Sequence, residues 1–229
     1  MSESAFRLSR AITPSHYRLK IAPDLDAATF DGTVSIDAET TEGTDSITIH
    51  AVDLTITSAD ISQGGTTQAA DVSIDADTET VTLRVAEALN PGALEVNLAW
   101  NADISDGLVG FYRSTYTAAD GTTATLAATQ FEAPHARRAF PCFDEPDMKA
   151  TFVVTLLIDP DHLAVSNSAE VERSERDDGR VLVRFADTMK MSTYLVAWVV
   201  GPLEATEATM VGDTRVRVVH QPGVACLAS

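Results

Sequence analysis

In the stretch "TVSIDA" (Thr33–Ala38), apolar and polar side chains alternate without a break, and this alternation indicates the fold class. Alternation places Val34, Ile36 and Ala38 on one side of an extended chain and the polar residues on the other. The same period recurs in "TVTLRV" (80–85), "LEVNL" (94–98) and "RVRVV" (215–219). Such segments are typical of strands with one buried face and one face in water.

Two other runs are continuously apolar, "ATFVVTLLI" (150–158) and "TYLVAWVV" (193–200), and they predict central strands that are buried on both faces. No long amphipathic helix is visible, and we expect one short helical turn around Ala136–Ala139. Turn signals separate the strands at Asp31-Gly32, Gly64-Gly65, Asn90-Pro91-Gly92, Asp120-Gly121 and Asp178-Gly179. The sequence therefore predicts one all-β domain over residues 1–229, with roughly a dozen strands in sandwiched or strongly twisted sheets.

The chain carries 34 acidic and 16 basic residues, which gives a formal net charge of −18. The phosphate backbone of nucleic acid and an anionic membrane surface would both repel such a protein. We therefore expect neither a nucleic acid nor a membrane as a partner. The longest apolar run, Tyr194–Val200, is far too short to cross a bilayer.

The first residues of the chain and its cysteines indicate the cellular compartment. The first residues, "MSESAFRLSR", lack the apolar core of a signal peptide. Cys142 and Cys226 are the only cysteines, too few for a disulfide framework in a chain of 229 residues, although they leave a single bridge open. These features predict a cytoplasmic protein.

Catalytic and metal-binding motifs are not apparent in the sequence. No pair of histidines has the spacing of the zinc motif H-E-x-x-H, and there is no C-x-x-C, G-x-S-x-G or P-loop pattern. The histidines, which we expect at the surface or in packing roles, are His16, His50, His135, His162 and His220. The residues alone thus predict no catalytic group and no metal ligand in this chain.

The segment "TQFEAPHARRAFPCFDEPDMKATF" (129–152) differs from the rest in its density of charge and proline. Gln130 and Glu132 end a strand-like run and point to one side, while Phe131 between them points to the other. A carboxylate beside an amide suits a substrate ammonium group, since the carboxylate accepts charge-assisted hydrogen bonds. An ordinary strand end with a polar, solvated face is the alternative.

The second half of that segment predicts a rigid structural element rather than a catalytic loop. We call residues 141–147 of this element the shelf. If the stretch 141–146 folds back, the guanidinium groups of Arg137 and Arg138 meet carboxylates in bidentate pairs, with phenylalanines packed beneath. Those carboxylates and rings are Asp144, Glu145, Asp147, Phe140 and Phe143. Cys142 is interpreted as a packed thiol, because no histidine is placed in the sequence to activate it.

This segment closely resembles the N-terminal domain of M1-family zinc aminopeptidases, the aminopeptidase N group. The residues that carry the resemblance are T-Q-F-E, then A-R-R-A-F-P-C-F-D-E-P, then K-A-T-F. The resemblance covers about residues 12–220. It extends to flanking strand-like segments, namely "PSHYRLKIAPD" (14–24), "GLVGFYRSTY" (107–116) and "MSTYLVAWVVGPLE" (191–204). It implies a large saddle-shaped β domain.

The resemblance also implies a function. Family members continue into a thermolysin-like domain that carries G-A-M-E-N and H-E-x-x-H, where a zinc-bound water attacks the first peptide bond. The glutamate of T-Q-x-E binds the free α-amino group of a peptide substrate, and the glutamine lines the pocket for the first side chain. Carried over to this chain, those residues are Glu132 and Gln130.

The sequence given ends at Ser229, before either motif of the catalytic domain. The expectation is therefore an anchoring domain that contacts substrate and a downstream catalytic domain, with zinc bound by the full-length enzyme and not by this chain. The isolated chain is expected to fold but not to hydrolyse peptides. A stand-alone, non-catalytic β module that binds protein or peptide is the alternative function.

Overall fold

Strands make up nearly all the regular structure of the computed structural model, which describes residues 7–117 and 121–223. The strands are β1 (Ile12–Asp24), β2 (Thr29–Thr40), β3 (Thr44–His50), β4 (Thr55–Gln63), β5 (Thr66–Ala69), β6 (Asp71–Asp75), β7 (Thr80–Leu89), β8 (Gly92–Asp103), β9 (Gly110–Thr117), β10 (Thr123–Gln130), β11 (Thr151–Ile158), β12 (Leu163–Ser166), β13 (Glu170–Glu175), β14 (Val181–Phe185), β15 (Trp198–Gly201), β16 (Glu204–Ala205), β17 (Thr209–Val211), β18 (Thr214–Val216) and β19 (Val219–His220). Short 3₁₀ turns cover Ala136–Arg138 and Thr193–Leu195. The all-β prediction is confirmed; the described residues hold more strands than the dozen expected because many are only two to four residues long.

The described residues form three larger sheets. The largest has eight strands in the order β13-β14-β11-β1-β2-β8-β4-β5. A four-stranded sheet has the order β12-β15-β10-β9, and a three-stranded sheet has the order β3-β7-β6. Short pairs β16-β19 and β17-β18 follow near the end of the described chain. Neighbouring strands are antiparallel except for β1 and β11, which run parallel.

The core forms where the apolar faces of these sheets meet. Along β2, Val34, Ile36 and Ala38 are buried as the alternation predicts, and Ile47 and Ile49 of β3 are fully buried from the facing three-stranded sheet. Removal of such aliphatic side chains from water stabilises the fold by roughly 1.5–3 kcal/mol each. The period of two in the sequence thus corresponds directly to the inner and outer faces of the sheets.

The turn expected at Asp31-Gly32 is wrong, because β2 runs through both residues. The reversal lies earlier, at residues 25–28. Gly32 is opposite Trp100 in β8, and a Cβ atom on Gly32 would lie only 2.2 Å from Cζ2 of the indole ring. The glycine is therefore used for the close approach of a buried ring rather than for a turn.

The other turn signals fall between strands as expected. Gly64-Gly65 joins β4 to β5, Asn90-Pro91-Gly92 joins β7 to β8, and Asp178-Gly179 joins β13 to β14. Both Gly64 and Gly65 have positive φ angles, 59° and 84°, as a two-residue hairpin turn requires. Asp120 lies outside the described residues, so the turn predicted at Asp120-Gly121 stays a prediction.

Of the two apolar runs predicted as central strands, 150–158 and 193–200, only the first forms one continuous strand. The first is β11, which lies between β14 and β1 inside the large sheet as predicted, although several of its side chains are only half-buried. The second is not one strand, since Thr193–Leu195 forms a 3₁₀ turn and β15 begins at Trp198. Thr193 is held by a hydrogen bond to the Asp144 carboxylate, which competes with strand pairing at this point. The helical turn expected near Ala136–Ala139 is confirmed.

No helix within the described ranges is long and apolar enough to cross a membrane.

Candidate functional site

Gln130 and Glu132 lie together at the C-terminal end of β10. Gln130 is the last residue of the strand and pairs with Gly110 of β9, and Glu132 follows two residues later. Both side chains are exposed, while Phe131 between them is 2% exposed. The predicted alternation is therefore confirmed. In the described part of the chain, neither polar side chain forms a hydrogen bond or an ion pair, so both are available to a ligand.

Phe131 fixes the position of these two side chains by packing into a cluster of aromatic rings. Its ring centre lies 5.4 Å from that of Trp198 and 5.8 Å from that of Phe140, with interplanar angles of 73° and 71°. Edge-to-face contacts of this kind contribute about 0.5–1.5 kcal/mol each beyond burial. Phe111 of β9 also contacts Trp198, at 5.5 Å, so the neighbouring strand is part of the same cluster.

The backbone turns sharply directly after Glu132. The amide of His135 donates a hydrogen bond of 2.9 Å to the carbonyl oxygen of Phe131, and the peptide bond between Glu132 and Ala133 is cis. Ala133 and Pro134 then line a cavity of about 480 Å³ next to the segment, together with Arg137. The carboxylate of Glu132 therefore projects from the start of a closed turn rather than from a long loop.

Arg137 ties this turn to the shelf that follows. Its Nε donates to Oδ2 of Asp144 at 2.9 Å, and its Nη2 donates to the Asp144 carbonyl oxygen at 3.1 Å. Its Nη1 donates to Glu79 at 2.9 Å. The other carboxylate oxygen of Asp144 accepts a bond of 2.5 Å from Thr193. Because the Asp144 side chain is 2% exposed, this is a buried, charge-assisted network.

Only part of the predicted ion-pair pattern is confirmed. Arg137 pairs with Asp144 as expected, although not in the predicted bidentate form, since its second bond goes to the Asp144 carbonyl oxygen. Arg138 pairs instead with Asp53, at 2.6 Å. The remaining two carboxylates of the shelf turn toward the N-terminal segment. Glu145 accepts bonds from Arg7 and Arg10, and Asp147 accepts one from Arg10. The expected partners were neighbours in sequence, whereas these pairs join residues more than 80 positions apart.

Beneath the shelf, Cys142 is fully buried as a packed thiol, as the sequence suggested. Burial, with the Asp144 carboxylate as a second cause, raises the pKa of the thiol well above its usual value. Burial also raises the pKa of Tyr17, whose hydroxyl oxygen accepts a hydrogen bond of 3.1 Å from the Phe143 amide. Both groups are therefore neutral at physiological pH. A neutral thiol is a poor nucleophile, and this argues against a covalent role for Cys142.

His50 is the one histidine that the shelf buries, at 4% exposure. Its Nδ1 accepts a hydrogen bond of 3.3 Å from the Asp144 amide, and its backbone pairs with Cys142 in a short bridge. Burial, followed by the charge of Arg137, lowers the pKa of the imidazole to about 4. The ring is therefore neutral at pH 7, with its proton on Nε2.

Potential metal ligands are scattered over the described part of the chain. Over the ranges 7–117 and 121–223, no group of three or more His, Cys, Asp and Glu side chains is arranged to hold a metal ion. The residues described here thus do not fit a zinc site.

Two members of the network were missed by sequence reasoning. Glu79 follows β6 and lies 58 positions from Arg137 in sequence, so no local pattern indicates the pair. Thr193 lies in a run whose apolar character predicts a strand. The polar start of the otherwise apolar run at Ser192 and Thr193 is the signal that would have found the latter, since hydroxyl groups favour turns and side-chain caps over strand pairing.

Comparison with known proteins places this geometry in a family. The family described as the Peptidase M1 N-terminal domain matches residues 13–195. The chain is 37% identical over 220 residues to puromycin-sensitive aminopeptidase of Caenorhabditis elegans and 38% identical over 225 residues to aminopeptidase M1 of Arabidopsis thaliana. It is 35% identical over 221 residues to endoplasmic reticulum aminopeptidase 1 of Rattus norvegicus.

The alignments cover 95%, 96% and 94% of this chain, but only 23%, 25% and 24% of the three relatives. The chain thus spans about a quarter of the length of these proteins. The matched region includes β1 to β11, the shelf and the end of β10 that carries Gln130 and Glu132. The chain belongs to the M1 aminopeptidase family, and it is an N-terminal domain of that family.

Proposed function

We propose that this chain is the substrate-anchoring domain of an aminopeptidase that removes N-terminal amino acids from peptides. In this role, Glu132 binds the free α-ammonium group of the peptide and Gln130 contacts its first side chain. The observation that carries the proposal is the placement of Glu132. Its carboxylate is exposed, lacks a partner in the described chain, and is held by the buried ring of Phe131.

The chemistry follows from what an exopeptidase must recognise. A carboxylate at a fixed position accepts the ammonium group of a free N-terminus through charge-assisted hydrogen bonds. A blocked or internal residue offers no positive charge, so the carboxylate would lose water without gaining a partner. The rigid ring cluster and the Arg137–Asp144 network give Glu132 the fixed position that recognition of a free N-terminus requires.

Hydrolysis itself is proposed to take place on another domain of the full-length enzyme. Zinc, if the enzyme uses it as the family resemblance implies, activates water for attack on the peptide bond. Because the described residues do not fit a zinc site, its ligands are proposed to come from that other domain. The role of this chain is to bind and orient the peptide.

The compartment is proposed to be reducing and cytoplasmic. The support is the low number of cysteines and the burial of Cys142 as a free thiol; Cys226 lies outside the described residues. One relative carries the endoplasmic reticulum in its name, so relatives of this domain are not confined to a single compartment.

The proposal is tested by Glu132→Gln in the full-length enzyme. We expect kcat/KM on free-amine peptides to fall by about 100-fold or more, because one partner of a desolvated charge pair is removed. Glu87→Gln, at an exposed carboxylate of β7 away from this site, is the control and is expected to change little. Unchanged kinetics in the Glu132 variant would refute the assignment.

A second experiment concerns the chain alone. The purified chain is expected to show no hydrolysis of an aminoacyl arylamide, with or without a chelator. Chelator-sensitive turnover would show that this chain does hold a metal site, and the proposal that the chemistry lies on another domain would then be wrong. Saturable binding of peptides that is equally strong with free and with blocked N-termini would favour the stand-alone binding module.

A further inference from the structure

The pairing of β10 with its two neighbouring strands ends at different residues. On one side, β10 pairs with β9 as far as Gln130, which lies opposite Gly110. On the other side, the register with β15 ends two residues earlier, at Ala128 opposite Val199. The end of β10, which carries Gln130 and leads to Glu132, therefore lies beyond the paired part of β15.

The side chain of Thr129 continues the connection to β15 where the strand register stops. Its Oγ1 accepts a hydrogen bond of 3.0 Å from the amide of Trp198, the first residue of β15. The same hydroxyl donates a longer bond of 3.4 Å to the carbonyl oxygen of Trp198. One hydroxyl can form both bonds because it has one proton and two lone pairs. Thr129 thus binds both backbone polar groups of Trp198.

Two side chains on one face of β10 therefore contact the same residue. Thr129 and Phe131 are two positions apart, so they point to the same side of the extended chain. Thr129 binds the backbone of Trp198, and the ring centre of Phe131 lies 5.4 Å from that of Trp198. Gln130 and Glu132 point to the opposite side. Their position consequently depends on how the other two side chains are held.

The start of β15 is also held from the side of β12, the other neighbour of β15. Trp198 lies opposite Ser166 of β12. The hydroxyl of Ser166 donates a bond of 2.8 Å to the carbonyl oxygen of Ala197, and Oδ1 of Asn167 accepts one of 2.8 Å from the Ala197 amide. Trp198 is therefore a fixed point, and Thr129 connects the end of β10 to it.

Loss of the hydroxyl would release the end of β10. Trp198 is 1% exposed, so its amide and carbonyl groups have little access to water in the folded chain. A backbone polar group that is buried without a partner is unfavourable. We therefore expect the end of β10 to move away from β15 until water can replace the Thr129 hydroxyl. The side chains of Gln130 and Glu132 would move with it.

We propose that Thr129 is a positioning residue for peptide binding. Its hydroxyl holds the end of β10 against β15 and so determines where the Glu132 carboxylate meets the α-ammonium group of the substrate. This inference rests on the proposed function of Glu132. Thr129 acts through Glu132 and does not contact the peptide, because its side chain lies on the face opposite to Gln130 and Glu132.

The test compares variants of the full-length enzyme on an aminoacyl arylamide. Thr129→Val replaces the hydroxyl by a methyl group at nearly constant volume. We expect kcat/KM to fall about tenfold, because the carboxylate remains but its position is less well defined. The loss is expected mainly in KM, since Glu132 already binds the ammonium group before reaction. Thr129→Ser keeps the hydroxyl and is expected to restore parental kinetics.

Thr125→Val is the matched control. Thr125 is a half-buried threonine on the same face of β10, and its side chain forms no hydrogen bond within the described ranges. Parental kinetics are expected for this variant. A loss in Thr129→Ser as large as in Thr129→Val would show that the hydroxyl is not the group that matters, and the proposal would be wrong.

The double variant Thr129→Val/Glu132→Gln tests whether Thr129 acts through Glu132. Without the carboxylate there is no charge pair left to position, so the double variant is expected to match Glu132→Gln. If the two losses multiply instead, to about 1,000-fold, Thr129 acts by another route and the inference is overturned.

The single variants separate this inference from the proposed function. Parental kcat/KM in Thr129→Val, together with a large loss in Glu132→Gln, would overturn the inference and leave the proposed function intact. Parental kinetics in Glu132→Gln would instead count against the proposed function itself. Near-ultraviolet circular dichroism checks that each variant is folded. If Thr129→Val is not folded, Thr129→Ala, which also lacks the hydroxyl, decides by the same criteria.

Discussion

Nε of Arg137 donates a hydrogen bond of 2.9 Å to Oδ2 of Asp144, seven residues later, and Nη2 of the same guanidinium reaches the carbonyl oxygen of Asp144. Through Thr193, Asp144 is also bonded to the turn that precedes β15, and β15 pairs with β10. The turn that follows Glu132 is therefore connected through Asp144, Thr193 and β15 back to β10, the strand that carries Gln130.

This relationship predicts a large effect for Asp144→Asn. The substitution leaves Arg137 without a buried counter-charge, and we expect the free energy of unfolding to fall by about 3 kcal/mol in urea titrations. Asp53→Asn, which breaks the exposed pair with Arg138, is the matched control and is expected to cost at most about 1 kcal/mol. Similar losses for the two variants would contradict the structural role of the buried pair.

Gly32→Ala tests the unexpected passage of β2 beneath Trp100. A new Cβ atom at 2.2 Å from the indole ring must displace a buried side chain, and we expect a loss of about 3 kcal/mol in the free energy of unfolding. Gly43→Ala, where the nearest atom is the Leu89 carbonyl oxygen at 3.6 Å, provides the comparison and is expected to be nearly neutral. Equal stability of the two variants would show that Trp100 does not lie on Gly32.

His50 predicts a dependence of stability on pH. Because folding lowers the pKa of this base from 6.5 to about 4, the unfolded chain binds a proton that the folded chain does not. The contribution of His50 to stability is therefore complete above pH 6.5 and decreases as the pH falls toward 4. At pH 4 the loss is about 3 kcal/mol.

Urea titrations between pH 7 and pH 4 on the parent chain and on His50→Asn measure this effect. The difference in slope between the two proteins isolates His50 from the carboxylates. Parallel curves over that range would show that the imidazole titrates normally in the folded chain.

Cys142 is expected to resist modification in the folded chain. In a Cys226→Ser background, a thiol reagent such as dithionitrobenzoate should react slowly under native conditions and fully in denaturant, because the thiol is buried and its pKa is raised. The rate of reaction, followed by absorbance, checks this. Rapid native labelling would place Cys142 at an accessible surface.

Much of the candidate site could be predicted because its signals are local. Gln130, Phe131 and Glu132 are adjacent, so a period of two is enough to place the ring inside and both polar groups outside. The partners of the shelf could not be predicted in the same way. Glu79 and Thr193 lie far from Arg137 and Asp144 in sequence, and no local pattern records which distant carboxylate or hydroxyl reaches them.

The all-β fold, the inner and outer faces of its strands, and the family can be predicted from the sequence, since alternation and a long motif both lie in consecutive residues. The place of Gly32, the pairing of the charges and the burial of one histidine depend on the folded chain. Those features depend on contacts between segments separated by tens of residues, and such contacts exist only once the sheets have packed against each other.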